Sequence, residues 1–205
     1  LEEVLKTATR AQALTRQLLA FSRGSSSDPR RTDLRIALVE MEPLLRRVLG
    51  MRIELSVRVE PDIPPVWVDP SQLTQVILNL LVNARDAIHQ DGKVDVSLSV
   101  LREDAPRPAD APSGEWVVLS VTDTGVGMPE DVRRRVFEPY FTTKGHGRGT
   151  GLGLSVVSGV VRSAGGVVTA ESELGRGTTM RVYLPPMDGD RPSARVSGAV
   201  PMPAI

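Results

Sequence analysis

The sequence has no cysteine, few aromatic residues and no net charge. Without cysteine the chain forms neither disulfides nor thiolate metal sites, which fits a reducing, cytoplasmic location. Lys and Arg number 25, and Asp and Glu also number 25, so bulk charge supports neither a nucleic-acid nor a membrane-surface partner. No apolar run approaches the roughly 18 residues of a membrane-spanning helix, and no signal peptide is visible. We therefore expect no nucleic-acid partner and no membrane contact in this fragment, which leaves open a full-length protein that is either soluble or membrane-anchored.

The composition allows one domain with an aliphatic core and an N-terminal appendage. Of the 205 residues, 40% are hydrophobic but only 3% are aromatic. Residues 1–23 carry an apolar stripe close to a coiled-coil heptad, which predicts a helix that needs a partner helix or a second subunit. Gly24 and the Ser-rich stretch after it predict a linker over residues 25–32. After Pro186 the periodicity is lost, so residues 187–205 are predicted to be a disordered tail or linker.

The rest of the chain mixes strands and helices. Period-two alternation and apolar runs predict strands over residues 52–59, 66–68, 93–101, 115–122, 166–173 and 178–184. Helical periodicity predicts helices over residues 37–49, 69–89, 129–137 and 153–164, with Pro43 in or near a first turn. Because hairpin-like strand pairs interrupt the alternation, we predict an α/β (α+β) two-layer sandwich. Its mixed, mostly antiparallel sheet of about five strands carries three helices on one face, and one long helix precedes it.

The stretch DPSQLTQVILNLLVNARDAIH, residues 69–89, is predicted to be the central helix. Asp69 can cap its N-terminus. The apolar residues form one broad face, and Asn79, Asn83 and Asp86 lie together beside that face. Two Asn residues weaken a helix interior unless they bind something, and neutral amide oxygens suit a Mg²⁺ ion that already carries phosphate. A polar helix edge bonded to a neighbouring loop explains the strip equally well.

A second motif, DTGVGM over residues 123–128, directly follows an apolar strand. An Asp at a strand end can accept a hydrogen bond from an exocyclic amine such as that of adenine, and glycines let the backbone approach a flat ligand closely. A plain strand-to-helix turn has the same composition, so this motif is weak by itself.

Two more motifs are adjacent, FEPYFTTK over residues 137–144 and GHGRGTGLGL over residues 145–154. Glycine-rich sequence that runs into a helix presents backbone N–H groups and the positive end of the helix dipole to a phosphate. The spacing matches neither a P-loop nor the dinucleotide-binding fingerprint, and this much glycine also indicates a flexible lid. Lys144 stands at the entrance of the segment, where it could meet a terminal phosphate or remain a solvated surface residue.

Together, NLLVNARDAI, DTGVGM, FEPYFTTK, GTGLGL and the later GRGT resemble five boxes of the ATP-binding domain of sensor histidine kinases, in the same order and at the same spacing. These are the asparagine box, the first glycine box, the phenylalanine box and the second and third glycine boxes. The domain belongs to the GHKL superfamily, with gyrase, heat-shock protein 90 and MutL. The resemblance covers residues 33–185 and implies a catalytic ATP-binding domain over residues 33–186. LTRQLLAFSR resembles the end of the second helix of the dimerisation and histidine-phosphotransfer hairpin, which assigns residues 1–24 to that hairpin.

The resemblance implies an adenine pocket at the DTGVGM motif. Asp123 would bind the adenine amine, and Gly125 and Gly127 would flank the ring. Thr178 would support Asp123 from the adjacent strand. Asp86 would help to hold the base or a structural water.

The resemblance also implies phosphate and metal ligands. Asn83 would ligate Mg²⁺, Asn79 would lie nearby on the phosphates, and Lys144 and Arg148 would contact the γ-phosphate. Asn79 and Lys144 are therefore the expected catalytic residues, and ATP and Mg²⁺ are the expected cofactors. The backbone of the glycine-rich segment would cradle the phosphates and adds further binding residues: Gly149, Thr150, Gly151, Leu152 and Gly153.

One departure separates this chain from the ATP-hydrolysing relatives in the superfamily. Those relatives place a glutamate general base one turn before the Mg²⁺-binding asparagine, and here that position is Asn79. Without a base to activate water, ATP should transfer its phosphoryl group to an acceptor. An ATPase of the same superfamily is therefore the less favoured hypothesis.

A second departure concerns the phosphate acceptor. The family uses a histidine on the first hairpin helix, typically followed by Asp or Glu, and neither His89 nor His146 has that context. The sequence also begins within the heptad pattern at Leu1, so we expect the acceptor helix to lie upstream. We expect this fragment to bind ATP without phosphorylating itself.

The resemblance thus implies the ATP-binding catalytic domain of a two-component sensor histidine kinase. The full-length protein would be a homodimer that transfers the γ-phosphoryl group of Mg-ATP to a histidine. The phosphoryl group would pass to an aspartate of a response regulator or of a fused receiver domain. The alternative hypothesis is a non-catalytic module of the same fold that senses ATP, ADP or another nucleotide.

Overall fold

A central five-stranded sheet organises the fold. The computed structural model describes residues 28–105, 111–144, 149–188 and 191–192. The predicted helix over residues 1–23, the glycine-rich residues 145–148 and the tail beyond residue 192 lie outside the described residues.

Nine strands and four helices make up the described part of the chain. The strands are β1 (Arg30–Thr32), β2 (Ile53–Val59), β3 (Val66–Val68), β4 (Gly92–Leu101), β5 (Trp116–Asp123), β6 (Val167–Glu173), β7 (Gly177–Leu184), β8 (Met187–Asp188) and β9 (Arg191–Pro192). The helices are α1 (Leu34–Leu49), α2 (Pro70–Ala87), α3 (Glu130–Arg135) and α4 (Gly153–Ser163). The strands and helices predicted after residue 33 are all present, and their ends agree with the prediction to about three residues.

The sheet has the strand order β2-β4-β5-β7-β6, in which β2 and β4 are parallel and the other neighbours are antiparallel. Its register places Asp123, the last residue of β5, opposite Thr178 of β7 on one side and Val94 of β4 on the other. The three long helices pack on one face of the sheet. The predicted two-layer sandwich with a mixed, mostly antiparallel sheet is therefore confirmed.

The core lies between the sheet and helices α1, α2 and α4. It is aliphatic, as the composition predicts, and Leu45, Leu81, Val96, Leu119 and Val157 are completely buried in it. The helices contribute one apolar stripe each and the strands contribute alternate residues. Each of these side chains stabilises the fold by roughly 1.5–3 kcal/mol relative to an exposed one. No helix within the described ranges combines the length and apolarity needed to cross a membrane.

Helix α1 begins earlier than its periodicity predicts. Asp33 caps it by accepting hydrogen bonds from the backbone amides of Arg35 (2.9 Å) and Ile36 (3.3 Å). The helix therefore starts at Leu34, and Pro43 lies inside it instead of near a first turn. Pro43 is on the exposed side of the helix, where water can satisfy the carbonyl that loses its amide partner.

Short ribbons lie near both ends of the segment predicted as the catalytic domain. β1 pairs antiparallel with β3, so residues 30–32, at the end of the segment predicted as a linker, form a strand. Met187 is buried, and its amide donates to the carbonyl of Pro65 at 2.8 Å. β8 then pairs with β9, so the segment predicted as a disordered tail, residues 187–205, begins with strand structure. Strands of two or three residues are too short to show alternation in a sequence.

Arginine side chains lie over both edge strands of the sheet. Arg46 of α1 donates to the carbonyl of Leu55 in β2 at 3.4 Å. Arg133 of α3 donates to the carbonyl of Ala170 in β6 at 3.0 Å. Each edge strand therefore has a guanidinium group bound to its backbone.

Candidate functional site

Helix α2 presents a polar strip beside its buried face. Asp69 caps the helix by accepting from the amide of Ser71 at 2.8 Å. The buried face consists of six apolar residues: Leu73, Val76, Ile77, Leu80, Leu81 and Ala84. Asn79, Asn83 and Asp86 are half-buried next to this face. Because the apolar face is fixed in the core, the position of the three polar side chains is fixed as well.

Helix α4 begins directly beside this strip. A methyl group built on Gly153, the first residue of α4, would lie 3.7 Å from Asn83 Nδ2 and 3.8 Å from Asn79 Oδ1. The first amides of a helix have no partner within it, and its N-terminus carries a partial positive charge. Two side-chain amides and the positive end of a helix therefore meet in one region, which favours an anion such as phosphate.

The carboxylate of Asp123 is buried at the end of β5, with 6% of the residue exposed. The amide of Gly125 donates to its Oδ1 at 2.8 Å, and the amide of Thr178 on β7 also donates to it. Burial raises the pKa of Asp123 above its ordinary value, although both amide hydrogen bonds act to lower it. An ionised carboxylate has about four lone-pair sites, so Asp123 can accept a further hydrogen bond from a ligand amine.

Two glycines bring backbone close to Asp123 and to the end of α2. Gly177 has a φ of +103°, and a Cβ there would collide with the carbonyl oxygen of Asp123. At Gly125 a Cβ would lie 2.7 Å from both the Cβ and the carbonyl oxygen of Ala87. That carbonyl also accepts a hydrogen bond from the amide of Val126 at 3.0 Å. The loop after β5 is therefore held tightly between α2 and β7.

A chain of polar contacts joins the entrance of the glycine-rich segment to helices α1 and α2. Lys144 Nζ lies 2.7 Å from Asp86 Oδ2, and Arg85 Nη2 lies 2.8 Å from Asp86 Oδ1. Arg85 also donates to the carbonyl of Val48 at 3.3 Å. Burial alone would raise the pKa of Asp86, but the hydrogen bonds from Lys144 and Arg85 hold it below its ordinary value. Lys144, which is expected at the γ-phosphate, and Asp86, which is expected near the base, thus contact each other.

The described part of the glycine-rich segment packs on the residues that precede it. The amide of Tyr140 donates to the carbonyl of Gly151 at 3.0 Å. A Cβ on Gly149 would lie 3.3 Å from the Cδ atom of Lys144. The residues that flank positions 145–148 on either side therefore lie close together.

The other predicted residues lie in different surroundings. Thr150 Oγ1 accepts from the amide of Leu152 at 3.3 Å, immediately before α4. His89 is exposed after the end of α2, and Arg148 and His146 lie outside the described residues. Within the described ranges, no group of three or more His, Cys, Asp and Glu residues could hold a metal ion. A metal bound by Asn83 in the polar strip of α2 would therefore need phosphate and water as its other ligands.

A comparison with protein families matches residues 68–188 to the family described as "Histidine kinase-, DNA gyrase B-, and HSP90-like ATPase". The matched part is more than half of the chain and contains α2, Asp123, the described glycine-rich residues and Thr178. The chain belongs to this family. As a member of this family, it has an ATP-binding domain, with ATP as its substrate.

Curated relatives of this family member are sensor kinases. The chain is 43% identical over 185 residues to "Sensor kinase CckA" of Brucella abortus, with 89% of this chain and 20% of the relative covered. It is 36% identical over 162 residues to "Sensor histidine kinase ZraS" of Escherichia coli, with 75% of this chain and 32% of the relative covered. The chain therefore spans between a fifth and a third of the length of these relatives.

Solved structures of sensor kinases share the fold of this ATPase-family domain. The mycobacterial sensor histidine kinase MprB matches with a TM-score of 0.60 and 29% identity, covering 79% of this chain and 100% of that one. Full-length ShkA in complex with AMPPNP matches with a TM-score of 0.71 and 27% identity, covering 92% of this chain and 38% of that one. The predicted histidine-kinase type of ATP-binding domain is confirmed.

Several residues that shape this ATPase-family site carry no signal in the sequence. Ser172 Oγ accepts from the amide of Met128 at 2.8 Å and lies 2.9 Å from Thr178 Oγ1. Gly127 is different because the sequence did single it out; it packs so closely on the end of β6 that a Cβ would collide with a backbone carbonyl there. Ser172 and Met128 are 44 positions apart, so only the fold reveals their contact. Arg85 is next to Asp86 in the sequence, but neighbouring residues of a helix do not face each other, so the sequence did not indicate their ion pair either.

Proposed function

We propose that the chain is the ATP-binding catalytic part of a two-component sensor histidine kinase. The full-length protein transfers the γ-phosphoryl group of Mg-ATP to a histidine, for relay to an aspartate of a response regulator or of a fused receiver domain. The observation that carries this proposal is the meeting of the Asn79 and Asn83 side chains with the N-terminus of α4. The sensor-kinase names of the similar proteins support it.

The adenine ring binds at the Asp123 end of the site. Asp123 accepts a hydrogen bond from the exocyclic amine, and Gly125 and Gly127 let the ring lie against the backbone. The amide of Thr178 holds the carboxylate in place from β7. An ionised carboxylate accepts hydrogen bonds and donates none, so the pocket distinguishes a purine amine from a purine carbonyl.

The phosphates bind between α4 and the Asn79 and Asn83 side chains of α2. Amides of the residues from Gly149 to Gly153 donate to phosphate oxygens, and Lys144 and Arg148 offset the charge of the γ-phosphate. The neutral Asn83 amide, with no acidic cluster among the described residues, fits a Mg²⁺ ion held mainly by phosphate and water. When bound, Mg²⁺ neutralises charge that develops on the transferred phosphoryl group.

The residue one turn before Asn83 favours transfer over hydrolysis. Asn79 is neutral and cannot take a proton from water, so we infer that it orients the phosphates. A histidine acceptor needs no such base, because one nitrogen of a neutral imidazole already carries a free lone pair. ATP hydrolysis by this domain is therefore slow compared with transfer to a histidine.

A phosphotransfer assay tests the proposal. The chain is mixed with Mg-ATP labelled at the γ-phosphate and with the acceptor hairpin of the same full-length protein, supplied separately. We expect acid-labile, base-stable label on the hairpin, reduced about 100-fold or more by Asn83→Ala, as for loss of a group that stabilises transition-state charge. The matched control is His89→Ala at an exposed position of the same helix end, which should retain transfer.

The other outcomes of this assay separate the alternatives. Tight binding of ATP and ADP without transfer would favour a non-catalytic nucleotide-sensing module. Steady release of inorganic phosphate by the chain alone would favour an ATPase. If the wild-type chain bound no ATP, the proposed site itself would be wrong.

We further propose that the full-length protein, whether soluble or membrane-anchored, is a homodimer whose catalytic domain lies in the cytoplasm. The apolar stripe over residues 1–23 has coiled-coil spacing, and the absence of cysteine fits a reducing compartment. Light scattering of the purified full-length protein should give the molar mass of a dimer. A monomer at micromolar concentration would contradict the homodimer.

A further inference from the structure

Lys144 has two candidate partners in this site. It contacts Asp86 at 2.7 Å, and the proposed function assigns it to the γ-phosphate of ATP. Asp86 lies three residues after Asn83, which is about 4.5 Å along the axis of α2. The Lys144 ammonium group is therefore held close to the phosphate region, but on a carboxylate instead of a phosphate.

The two cations that bind Asp86 differ in how firmly they are fixed. Arg85 binds Oδ1 through Nε at 3.1 Å and Nη2 at 2.8 Å, and it is also anchored on the carbonyl of Val48 in α1. Lys144 binds Oδ2 with a single contact, and it belongs to the segment that leads into the glycine-rich residues. If Lys144 leaves, Asp86 keeps its pair with Arg85, so no half-buried carboxylate is left unpaired. Lys144 is thus the partner that can be released at low cost.

We propose that Lys144 is exchanged between the Asp86 carboxylate and the terminal phosphate of ATP, so that Asp86 sets the relative affinity for ATP and ADP. This inference rests on the proposed function. ATP must break the ion pair between Lys144 and Asp86 to gain its own contact with Lys144, whereas ADP leaves the pair intact. After phosphoryl transfer, Lys144 returns to Asp86 and no longer contacts the nucleotide, which favours release of ADP.

The lysine content of the chain allows a direct test without any variant. The chain has three lysines, Lys6, Lys93 and Lys144, so the acetylation of each amine can be followed separately by mass spectrometry. Lys93, whose side chain is 70% exposed in an ion pair with Glu54, is the internal reference. We expect a non-hydrolysable ATP analogue to change the acetylation rate of Lys144 at least about twofold, and ADP to leave it as in the nucleotide-free chain. Equal effects of the two nucleotides on Lys144 would overturn the inference.

Binding constants measured by calorimetry test the role of Asp86. Because the side chains of Lys144 and Asp86 are 35% and 29% exposed, a partly exposed ion pair predicts that Asp86→Asn raises the ratio of the ATP affinity to the ADP affinity about two- to fivefold. Any contact that Asp86 makes with the base is shared by both nucleotides and does not change this ratio. Asp95→Asn is the matched control, since it removes one partner of the Asp95–Arg58 pair on the other face of the sheet. In a Lys144→Met background, Asp86→Asn should no longer alter the ratio of the ATP and ADP affinities.

Three outcomes would contradict this inference. Equal tightening for ATP and ADP in Asp86→Asn would mean that only bulk charge had changed. A lower ratio of ATP affinity to ADP affinity would mean that Asp86 positions Lys144 for the phosphate instead of competing with the phosphate. An unchanged ratio in a folded variant would remove Asp86 from nucleotide selection while leaving the proposed function intact. In contrast, loss of ATP binding by the wild-type chain would defeat the proposed function itself.

Discussion

The Asp123→Asn variant tests the adenine pocket with almost no change in side-chain volume. Asp123 is 6% exposed and accepts hydrogen bonds from the amides of Gly125 and Thr178. The proposed adenine amine would be a third donor. The asparagine amide has one oxygen and one NH₂ group, so its nitrogen would have to face one of these three donors.

The expected loss of affinity follows from that geometry. A hydrogen bond to a charged acceptor contributes about 1.5–3 kcal/mol, which corresponds to about 10- to 150-fold weaker ATP binding. Burial raises the pKa of Asp123, so a neutral side chain at this position also removes the cost of burying a charge. We therefore expect the variant to fold, with a Tm within a few degrees of the wild type, about 4 °C or less.

Calorimetry with ATP and inosine triphosphate, which carries a carbonyl in place of the adenine amine, measures the effect. The wild type should prefer ATP, and Asp123→Asn should lose most of that preference because an amide can donate to a carbonyl. As the pH falls towards the raised pKa of Asp123, protonation replaces the charged acceptor with a weaker, neutral one, so the wild-type ATP affinity should decrease. The variant should lack this pH dependence.

Equal losses of affinity for the two nucleotides in a folded Asp123→Asn variant would refute the reasoning. The contact with the base would then lie elsewhere, and Asp123 would serve only to fix the loop after β5. Asp95→Asn, at a half-buried position on the far face of the sheet, should leave both affinities unchanged.

Further predictions concern stability and are measured by urea unfolding. Gly177→Ala should lower the free energy of unfolding by about 2–4 kcal/mol, because it combines a left-handed backbone with a collision at Asp123. Gly175→Ala, also left-handed but with no atom within 4 Å of its Cβ, should cost about 1–2 kcal/mol; equal losses at both positions would contradict the collision. Gly159→Ala in α4, which also meets nothing within 4 Å, should raise stability by about 0.5–1 kcal/mol. Asp69→Ala should cost about 1 kcal/mol at pH 7. The hydrogen bond from Ser71 lowers the pKa of Asp69 below 3.8, so the stabilisation is present above that pH and should disappear as the pH falls through the lowered pKa.

The sequence predicted best those features that depend on local periodicity. The apolar face of α2 repeats at helical spacing over 18 residues, so both the helix and the strip that contains Asn79 and Asn83 could be predicted. The alternation in β4 and the apolar run of β5 similarly predicted neighbouring strands. The position of Asp123 at the end of β5 followed directly from the position of that strand.

Features that depend on contacts between distant residues could not be predicted in this way. Lys144 and Asp86 are 58 positions apart, and each carried its own expected role, so nothing in the sequence indicated that they form a pair. Pro43 was expected near a helix start because proline is tolerated there, but the Asp33 cap set the start at Leu34. The pairing of β1 with β3 rests on three residues from each strand, which is below the length at which alternation is visible.

The arginines over the two edge strands have a consequence for the behaviour of the domain at high concentration. A sheet edge with free backbone groups is a template on which a strand of another molecule can pair. Here the guanidinium groups of Arg46 and Arg133 bind backbone carbonyls of β2 and β6, so an incoming strand would meet a bulky cation at either edge. The two edges are thereby protected against strand pairing with a second molecule. Removal of either guanidinium group should therefore increase aggregation at concentrations where nucleotide binding is unchanged.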